Sequence, residues 1–140
     1  MKQIEGVHGN LAQVIFGNFP GWEDLKTGHE SGVDIRKKDG SMIIELKSNW
    51  NTFNSASKES TIKKFKSYKE KNPNTRCVIG YVNPKPGQKS LTKKKDFHGI
   101  EIEEIYGVDL CKLMFTLNNK DYTEKMFELF EKFKQQNDLY

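Results

Sequence analysis

The sequence predicts an α/β protein in which α-helices flank a mixed central β-sheet. Three observations support this fold class: a hairpin pattern near residue 40, an almost continuous apolar run at residues 76–82, and helical hydrophobic repeats on either side of them. With 140 residues, the chain has the length of one domain with one core. We therefore expect residues 1–140 to form a single domain.

Four helices are predicted from the spacing of the apolar residues. The first covers residues 3–16, and several breakers follow it, including Pro20 and Gly21. The second covers residues 56–71, and the third covers residues 110–117. Asp121 caps a last helix. Its apolar face consists of Tyr122, Met126, Leu129, Phe130 and Phe133.

The second helix is amphipathic and rich in lysine. Its inward-facing residues are predicted to be Ile62, Phe65 and Tyr68, and its outward-facing residues are predicted to be Lys63, Lys64, Lys66 and Lys69. Asn72 and Pro73 end it. The helix therefore predicts a positively charged outer surface over a packed inner face.

A β-hairpin is predicted around Asp39-Gly40. Residues 32–37 and 41–48 form its two strands, because an Asp-Gly pair tolerates the positive φ of a tight reversal. The second strand returns past the start of the first, so Asp34 and Glu45 are expected to lie close together. Lys47 lies two positions after Glu45 and therefore shares its face of the sheet.

The rest of the chain supplies further strands and connections. Residues 76–82 predict a central strand, and the helix before it indicates a right-handed βαβ crossover from the hairpin. Residues 99–105 alternate and predict another strand. Residues 22–25 are predicted to form a turn or a short connection. Residues 83–95, with Pro84, Pro86 and five lysines, are predicted to form a mobile basic loop.

Charge is distributed unevenly along the chain. The formal net charge is +4, yet residues 58–95 hold twelve Lys or Arg against Glu59 and Glu70. A segregated basic segment is typical of proteins that bind a polyanion, although lysine-rich solvated surfaces are also common. Composition alone therefore leaves both interpretations open.

Other classes are disfavoured by features that the sequence lacks. No stretch approaches the roughly 20 consecutive apolar residues that a membrane span needs, so we expect no membrane partner. The segment after Met1 has no apolar core of a secretory signal. We therefore expect a cytoplasmic protein, or a virus-encoded one that acts in the host cell. Cys77 and Cys111 have no metal-binding spacing and are expected to be free, buried thiols.

The two carboxylates and the ammonium of the hairpin suit phosphodiester hydrolysis. Mg²⁺ is commonly held by one or two carboxylates plus substrate oxygens, so Asp34, Glu45 and the Leu46 carbonyl are candidate metal ligands. Lys47 is the candidate catalytic cation, which would contact the attacking water or a phosphate oxygen. The alternative without a functional role is that Asp34 caps a turn and that Glu45 and Lys47 form an exposed strand pair.

Asp34, ten intervening residues and then Glu45-Leu46-Lys47 resemble the PD-(D/E)XK nuclease motif, with Val33 where the motif often has Pro. Three segments extend the resemblance to the type II restriction endonucleases that cut GGNCC or GGWCC sites. They are Gly21-Trp-Glu-Asp-Leu25, Gly28-His-Glu-Ser-Gly-Val-Asp-Ile35 and Glu45-Leu-Lys-Ser-Asn-Trp-Asn-Thr-Phe-Asn-Ser-Ala-Ser57. The resemblance runs from about Asn10 to Val82.

This resemblance implies a restriction-endonuclease-like core and Mg²⁺-dependent cleavage of double-stranded DNA at a short, near-palindromic site. A homodimer is implied as well, because symmetric sites are usually read by two-fold dimers. The polar stretch after Lys47 then becomes a candidate DNA-binding segment, since amides read base edges and lysines contact phosphates. Its candidate residues are Asn49, Asn51, Thr52, Asn54, Ser55, Ser57 and Lys58.

Several alternatives remain open at this point. The polar stretch could be only a loop with a helix cap. A further acidic group of the site could be Glu5, on the first helix, with Glu23 and Asp24 as competitors for that role. The nearest alternative function is a structure-specific or repair nuclease, such as a junction resolvase, on the same fold. A DNA-binding module without catalytic activity is the alternative from another class.

Overall fold

The computed structural model describes residues 13–25, 33–49, 51, 55–88, 90–126, 128, 129 and 132. A six-stranded sheet runs through the centre in the order β1-β2-β3-β4-β6-β5, and a separate two-stranded sheet consists of β7 and β8. The strands are β1 (Trp22–Asp24), β2 (Ile35–Lys37), β3 (Met42–Asn49), β4 (Arg76–Asn83), β5 (Ser90–Phe97), β6 (Ile100–Gly107), β7 (Thr116–Leu117) and β8 (Lys120–Asp121).

Helices lie on both sides of the central sheet. The described part of α1 is residues 13–18. It is followed by α2 (Ser55–Lys71) and α3 (Val108–Met114). A last helical segment begins at residue 123. The predicted first helix began at residue 3, and residues 1–12 lie outside the described residues.

The sheet is mixed, as the sequence predicts. β1, β2 and β3 pair antiparallel, β3, β4 and β6 pair parallel, and β5 returns antiparallel to β6. The parallel β3 and β4 are connected through α2, which confirms the predicted strand–helix–strand unit. The predicted fold class, an α/β protein with a mixed central sheet flanked by helices, is therefore confirmed.

The core is divided between the two faces of the sheet because successive residues of a strand point to opposite sides. Ile44 of β3 and Val78 of β4 pack with residues of α1 and α3, among them Phe16 and Leu110. Ile43 and Ile79, one position away on the same strands, pack instead with Ile62 and Phe65 of α2. The α2 face is the one that Glu45 shares with Ile43.

The β2–β3 hairpin forms around Asp39-Gly40 with a longer turn than predicted. Gly40 has φ +78°, whereas Asp39 stays at negative φ and its carboxylate accepts a hydrogen bond from the backbone N–H of Ser41 at 2.9 Å. The Gly40 N–H donates to the Lys37 carbonyl at 2.8 Å. Only Gly40 therefore uses the conformational freedom that the dipeptide offers.

Two segments predicted as connections are strands. Residues 22–25 contain β1, because the Trp22 indole is buried and its N–H donates to the Met114 carbonyl at 3.0 Å. Residues 83–95 contain most of β5, which pairs with β6 along its whole length. An edge strand tolerates charged side chains on both faces. Because β5 is rich in lysine, its sequence lacks the alternation of apolar residues from which a strand is predicted.

Two tight reversals in the C-terminal half explain further differences from the predicted elements. His98 and Gly99 join β5 to β6 with φ of +53° and +90°, the backbone that a two-residue hairpin requires. Asn118 and Asn119, with φ of +53° and +65°, join β7 to β8 in the same way. The predicted helix over residues 110–117 is wrong at its end, because Leu117 lies in β7 and α3 ends at Met114.

The last helix begins as predicted. The Asp121 carboxylate accepts a hydrogen bond from the Thr123 backbone N–H at 2.8 Å, and Tyr122 and Met126 pack against the core. Leu129, predicted to face inward, is 52% exposed. Phe130 and Phe133 lie outside the described residues. Cys77 and Cys111 are free and buried, as expected.

Within the described residues, no helix is both long enough and apolar enough to cross a membrane.

Gly80 is a close-packing position in β4, and this predicts a measurable cost of enlarging it. A Cβ added there would lie 2.7 Å from Leu110 Cδ1 and 3.3 Å from Leu46 Cδ2, and Leu110 is fully buried. We expect Gly80→Ala to lower the free energy of unfolding by about 1–3 kcal/mol in urea titrations. In a Leu110→Ala background the same substitution should cost less, because the two closest crowding atoms, both from Leu110, are gone. An equal cost in both backgrounds would contradict the packing explanation.

Candidate active site

Two carboxylates come together on the β2–β3 hairpin, at the end of β2 that lies away from the turn. Ile35 pairs with Ile44 and Arg36 with Ile43, so the same register, continued by one position, places Asp34 opposite Glu45. Opposite residues of an antiparallel pair share a face of the sheet. The predicted proximity of the two carboxylates follows from this register.

Asp34 is fixed by its backbone and by its carboxylate. Its Oδ2 accepts a hydrogen bond from the Leu46 N–H at 2.8 Å. Its carbonyl oxygen accepts from the Leu25 N–H at 2.9 Å and from the Gln13 side-chain amide at 3.4 Å. The carboxylate is therefore tied directly to the strand that carries Glu45.

Glu45 is a charged residue in the interior of the sheet, 6% exposed. Its two oxygens have different surroundings. Oε2 accepts a hydrogen bond from the Thr61 hydroxyl at 3.4 Å and lies 3.6 Å from Lys64 Nζ and 3.9 Å from Lys47 Nζ. Oε1 is buried and has no hydrogen-bond partner among the described residues. One oxygen is thus held by the protein, and the other is buried without a hydrogen bond from the described residues.

The environment raises the pKa of both carboxyl groups. Burial is the largest cause for Asp34, and the Leu46 N–H and the two lysines offset part of it. Burial is also the largest cause for Glu45, followed by the negative charge of Asp34. Two desolvated carboxylates that repel one another form a site that gains from a bound cation.

Lys64 is a residue of this site that the predicted helix face missed. It was predicted to point outward with Lys63 and Lys66, which are exposed. Lys64 instead extends its ammonium to Glu45, and the prediction was wrong because a long side chain at the border of the helix face can reach inward. Thr61, one helical turn earlier, is 1% exposed and faces the same carboxylate.

A polar strip continues from Lys47 across the sheet. Lys47 pairs in register with Tyr81, and Tyr81 pairs with Tyr106. The two tyrosine rings stack at 4.3 Å between centroids. The Tyr81 hydroxyl donates to Glu104 Oε2 at 3.1 Å, and Lys95 Nζ lies 3.4 Å from Glu104 Oε1. Burial raises the pKa of the Tyr81 hydroxyl, which keeps it protonated as a donor.

No single sequence signal identifies this strip. Tyr81 stands in an apolar run and Glu104 in an alternating one, and only the order of the strands brings them together. A structure is needed because β6 lies between β4 and β5 in the sheet.

The candidate DNA-binding residues fall at the end of β3 and the start of α2. Asn51 is exposed, as is Ser55, while Ser57 and Lys58 are half-buried. Lys58 Nζ lies 5.2 Å from the centre of the Phe97 ring. The Asn49 backbone belongs to β3, and its side chain lies outside the described residues, as do Thr52 and Asn54. The segment thus begins at the end of the strand that carries Glu45 and Lys47.

The further acidic group has three candidates, and the structure separates two of them. Glu23 forms an ion pair with Arg36 at 2.9 Å. Asp24 accepts a hydrogen bond from Gln13 at 3.0 Å, and its charge contributes to the raised pKa of Asp34. Glu5 lies outside the described residues. Of the two described candidates, Asp24 thus contributes a small electrostatic effect at Asp34, whereas Glu23 is paired with Arg36.

The donor set fits a divalent cation that takes few protein ligands. The described residues contain no group of three or more His, Cys, Asp and Glu side chains arranged for a metal ion. Mg²⁺ usually needs only one or two carboxylates, and substrate phosphates and water complete its coordination. Asp34 and the unpartnered Oε1 of Glu45 meet that requirement.

Comparison with known protein families assigns the chain to a family. The sequence matches the family described as Eco47II restriction endonuclease over residues 1–136, which is nearly the whole chain of 140 residues. Comparisons with curated proteins and with solved structures gave no match. On the extent of the family match, the chain belongs to the Eco47II restriction endonuclease family.

Proposed function

We propose that the protein is a Mg²⁺-dependent type II restriction endonuclease with a PD-(D/E)XK site. It hydrolyses phosphodiester bonds of double-stranded DNA at a short, near-palindromic sequence of the GGNCC or GGWCC kind. Family membership supports the restriction endonuclease activity and the DNA substrate. The observation that carries the proposed chemistry is the cluster formed by Asp34, at the start of β2, with Glu45 and Lys47 of β3.

In this proposal Asp34 and Glu45 hold the metal ion, with the Leu46 carbonyl as a further ligand. When bound, Mg²⁺ supplies positive charge beside the phosphorus, where negative charge develops during hydrolysis. The protein's part is to fix the ligands. Asp34 is held by the Leu46 N–H, and Thr61 and the lysines hold one oxygen of Glu45, so that the other is presented to the ion.

Lys47 is the catalytic cation of the proposal. It projects on the same face as Glu45 and is anchored by it, with 3.9 Å between Nζ and Oε2. From there the ammonium can orient the attacking water or donate to a non-bridging phosphate oxygen.

DNA would lie across the end of β3 and the start of α2. Asn49, Asn51, Thr52 and Asn54 could reach base edges or phosphates, and Ser55, Ser57 and Lys58 could contact the backbone of the duplex. Phosphate contacts position the duplex, whereas amide contacts to bases discriminate between sequences. Asparagine pairs with adenine and lysine with guanine, so the asparagines and Lys58 would together contribute to the recognition sequence.

A near-palindromic site further leads us to propose a homodimer, in which each protomer cuts one strand. Light scattering coupled to size exclusion should give, for the complex with a cognate duplex, the mass of one duplex plus twice the chain mass of 16.2 kDa. A complex with one protein chain per duplex would contradict this part of the proposal.

Plasmid digestion tests the function directly. In Mg²⁺ we expect a discrete set of linear fragments whose mapped ends share one short symmetric sequence, and EDTA should abolish cutting. A smear, or preferential cutting of branched DNA over linear plasmid, would contradict site-specific restriction and favour a structure-specific nuclease.

Substitution of the cluster tests the assigned residues. Asp34→Asn and Lys47→Ala should each lower the cleavage rate by about 10²–10³-fold or more, because each removes charge stabilisation at the phosphate. Both variants should still bind a cognate duplex in Ca²⁺, measured by fluorescence anisotropy. Asp39→Asn at the hairpin tip and Lys71→Ala at the end of α2 are exposed matched controls and should cut normally. Normal cutting by either cluster variant would contradict the assignment.

Glu45→Gln should separate activity from stability. The folded-state pKa of Glu45 lies above its ordinary value because of burial and Asp34, so the ionised carboxylate opposes folding. This destabilisation is absent below the ordinary pKa of a glutamate and complete once the pH exceeds the raised value. At neutral pH we therefore expect Glu45→Gln to abolish cleavage in Mg²⁺ and yet to raise the urea midpoint measured without divalent cations. A lower midpoint would contradict the sign.

A further inference from the structure

Lys64 brings a second positive charge to the candidate site from a different element than Lys47. Its Nζ lies 3.6 Å from Glu45 Oε2, against 3.9 Å for Lys47. The Lys64 side chain is 35% exposed and the Lys47 side chain 22% exposed. Lys64 is therefore a partly buried cation beside the carboxylate that is assigned to the metal.

The charges of the cluster balance without any added ion. Asp34 and Glu45 carry two formal negative charges, and Lys47 and Lys64 carry two positive ones. Asp24 is the next acidic group, and its influence on Asp34 is the smallest of those that act on that residue. A divalent cation that approaches the two carboxylates would thus meet a cluster whose own lysines already offset their charge.

We propose that Lys64 is a built-in counter-cation of this site, which weakens divalent-metal binding until a DNA phosphate adds negative charge. The inference rests on the proposed function, because it takes Asp34 and Glu45 as the metal ligands. Lys64 is a positioning residue in this scheme. It acts through Glu45 on the metal, and it directs tight metal binding to the complex that contains substrate.

The scheme makes metal and DNA binding mutually dependent. A phosphate at the site tips the balance of charge and raises the affinity for the cation, and by linkage the cation raises the affinity for DNA by the same factor. Removing the positive charge of Lys64 strengthens metal binding to the free protein more than it strengthens metal binding to the DNA complex. The coupling between the two ligands then shrinks.

A merely structural ion pair gives different results. If Lys64 only anchored α2 to the sheet, its loss would lower the free energy of unfolding and leave the metal affinity of the folded protein unchanged or weaker. Lys63 provides a matched control, because it precedes Lys64 on the same helix, carries the same charge and is exposed.

The experiment is calorimetric titration of the free protein with Ca²⁺, which does not depend on cleavage. Relative to the natural protein, Lys64→Met and Lys64→Gln should bind Ca²⁺ at least about fivefold more tightly, and Lys64→Arg should stay near the natural value because it keeps the charge. Lys63→Met should change the affinity less than twofold. Two neutral replacements are used so that a folding defect in one does not decide the result.

The second arm repeats the titration with a cognate duplex bound. DNA should raise the Ca²⁺ affinity of the natural protein, and the ratio of the two affinities should be smaller for Lys64→Met. Equal Ca²⁺ affinities for Lys64→Met and Lys63→Met would overturn the inference, and so would weaker Ca²⁺ binding by both Lys64→Met and Lys64→Gln. In either case, Mg²⁺-dependent cutting by the natural protein would still uphold the proposed function. Failure of the natural protein to bind Ca²⁺ in either arm, together with cutting in EDTA, would overturn both.

Discussion

The burial of one carboxylate, that of Glu45, is the constraint on which the local structure depends. Glu45 lies two residues after Ile43 on β3 and pairs in register with Ile79 of β4, and both of these isoleucines are fully buried. Such a position ordinarily holds an apolar side chain, because a desolvated charge without partners is unfavourable. The chain accommodates it by placing Thr61 and Lys64 of α2 and Lys47 of β3 around one of its oxygens. The buried carboxylate lowers the stability of the fold at this position, and in return its negative charge is held in a fixed place.

Because β3, β4 and β6 pair in parallel, residues that are distant in sequence lie side by side in rows across the sheet. Glu45, Ile79 and Glu104 lie in one row, and Lys47, Tyr81 and Tyr106 in the next, on the face that α2 covers. Polar side chains of β3 therefore lie next to polar side chains of β4 and β6, although these strands are distant in sequence. The two tyrosine rings stack on one another beside the register position of Lys47, and the hydrogen bond to Glu104 fixes the orientation of the Tyr81 ring.

The sequence is informative where a local rule decides the structure. Asp34 and Glu45 could be paired in advance because a hairpin converts sequence distance into register, and Ile62 and Phe65 could be assigned to the core from helical spacing. It is less informative where tertiary context decides. β5 carries consecutive lysines that no hydrophobic pattern reports, and Lys64 reaches Glu45 only because α2 crosses β3 at that point. Glu104 meets Tyr81 only through the strand order.

The lysines of β5 have a consequence for how copies of the chain can associate. β5 is an outer strand of the central sheet, and outer strands invite other strands to add to them unless charge prevents it. If two sheets joined there, Lys93, Lys94 and Lys95 of both copies would be brought close together, so a continuous sheet across two molecules is electrostatically opposed. The same charges protect the folded chain against growth of fibrils from this side and leave any pairing of copies to other surfaces.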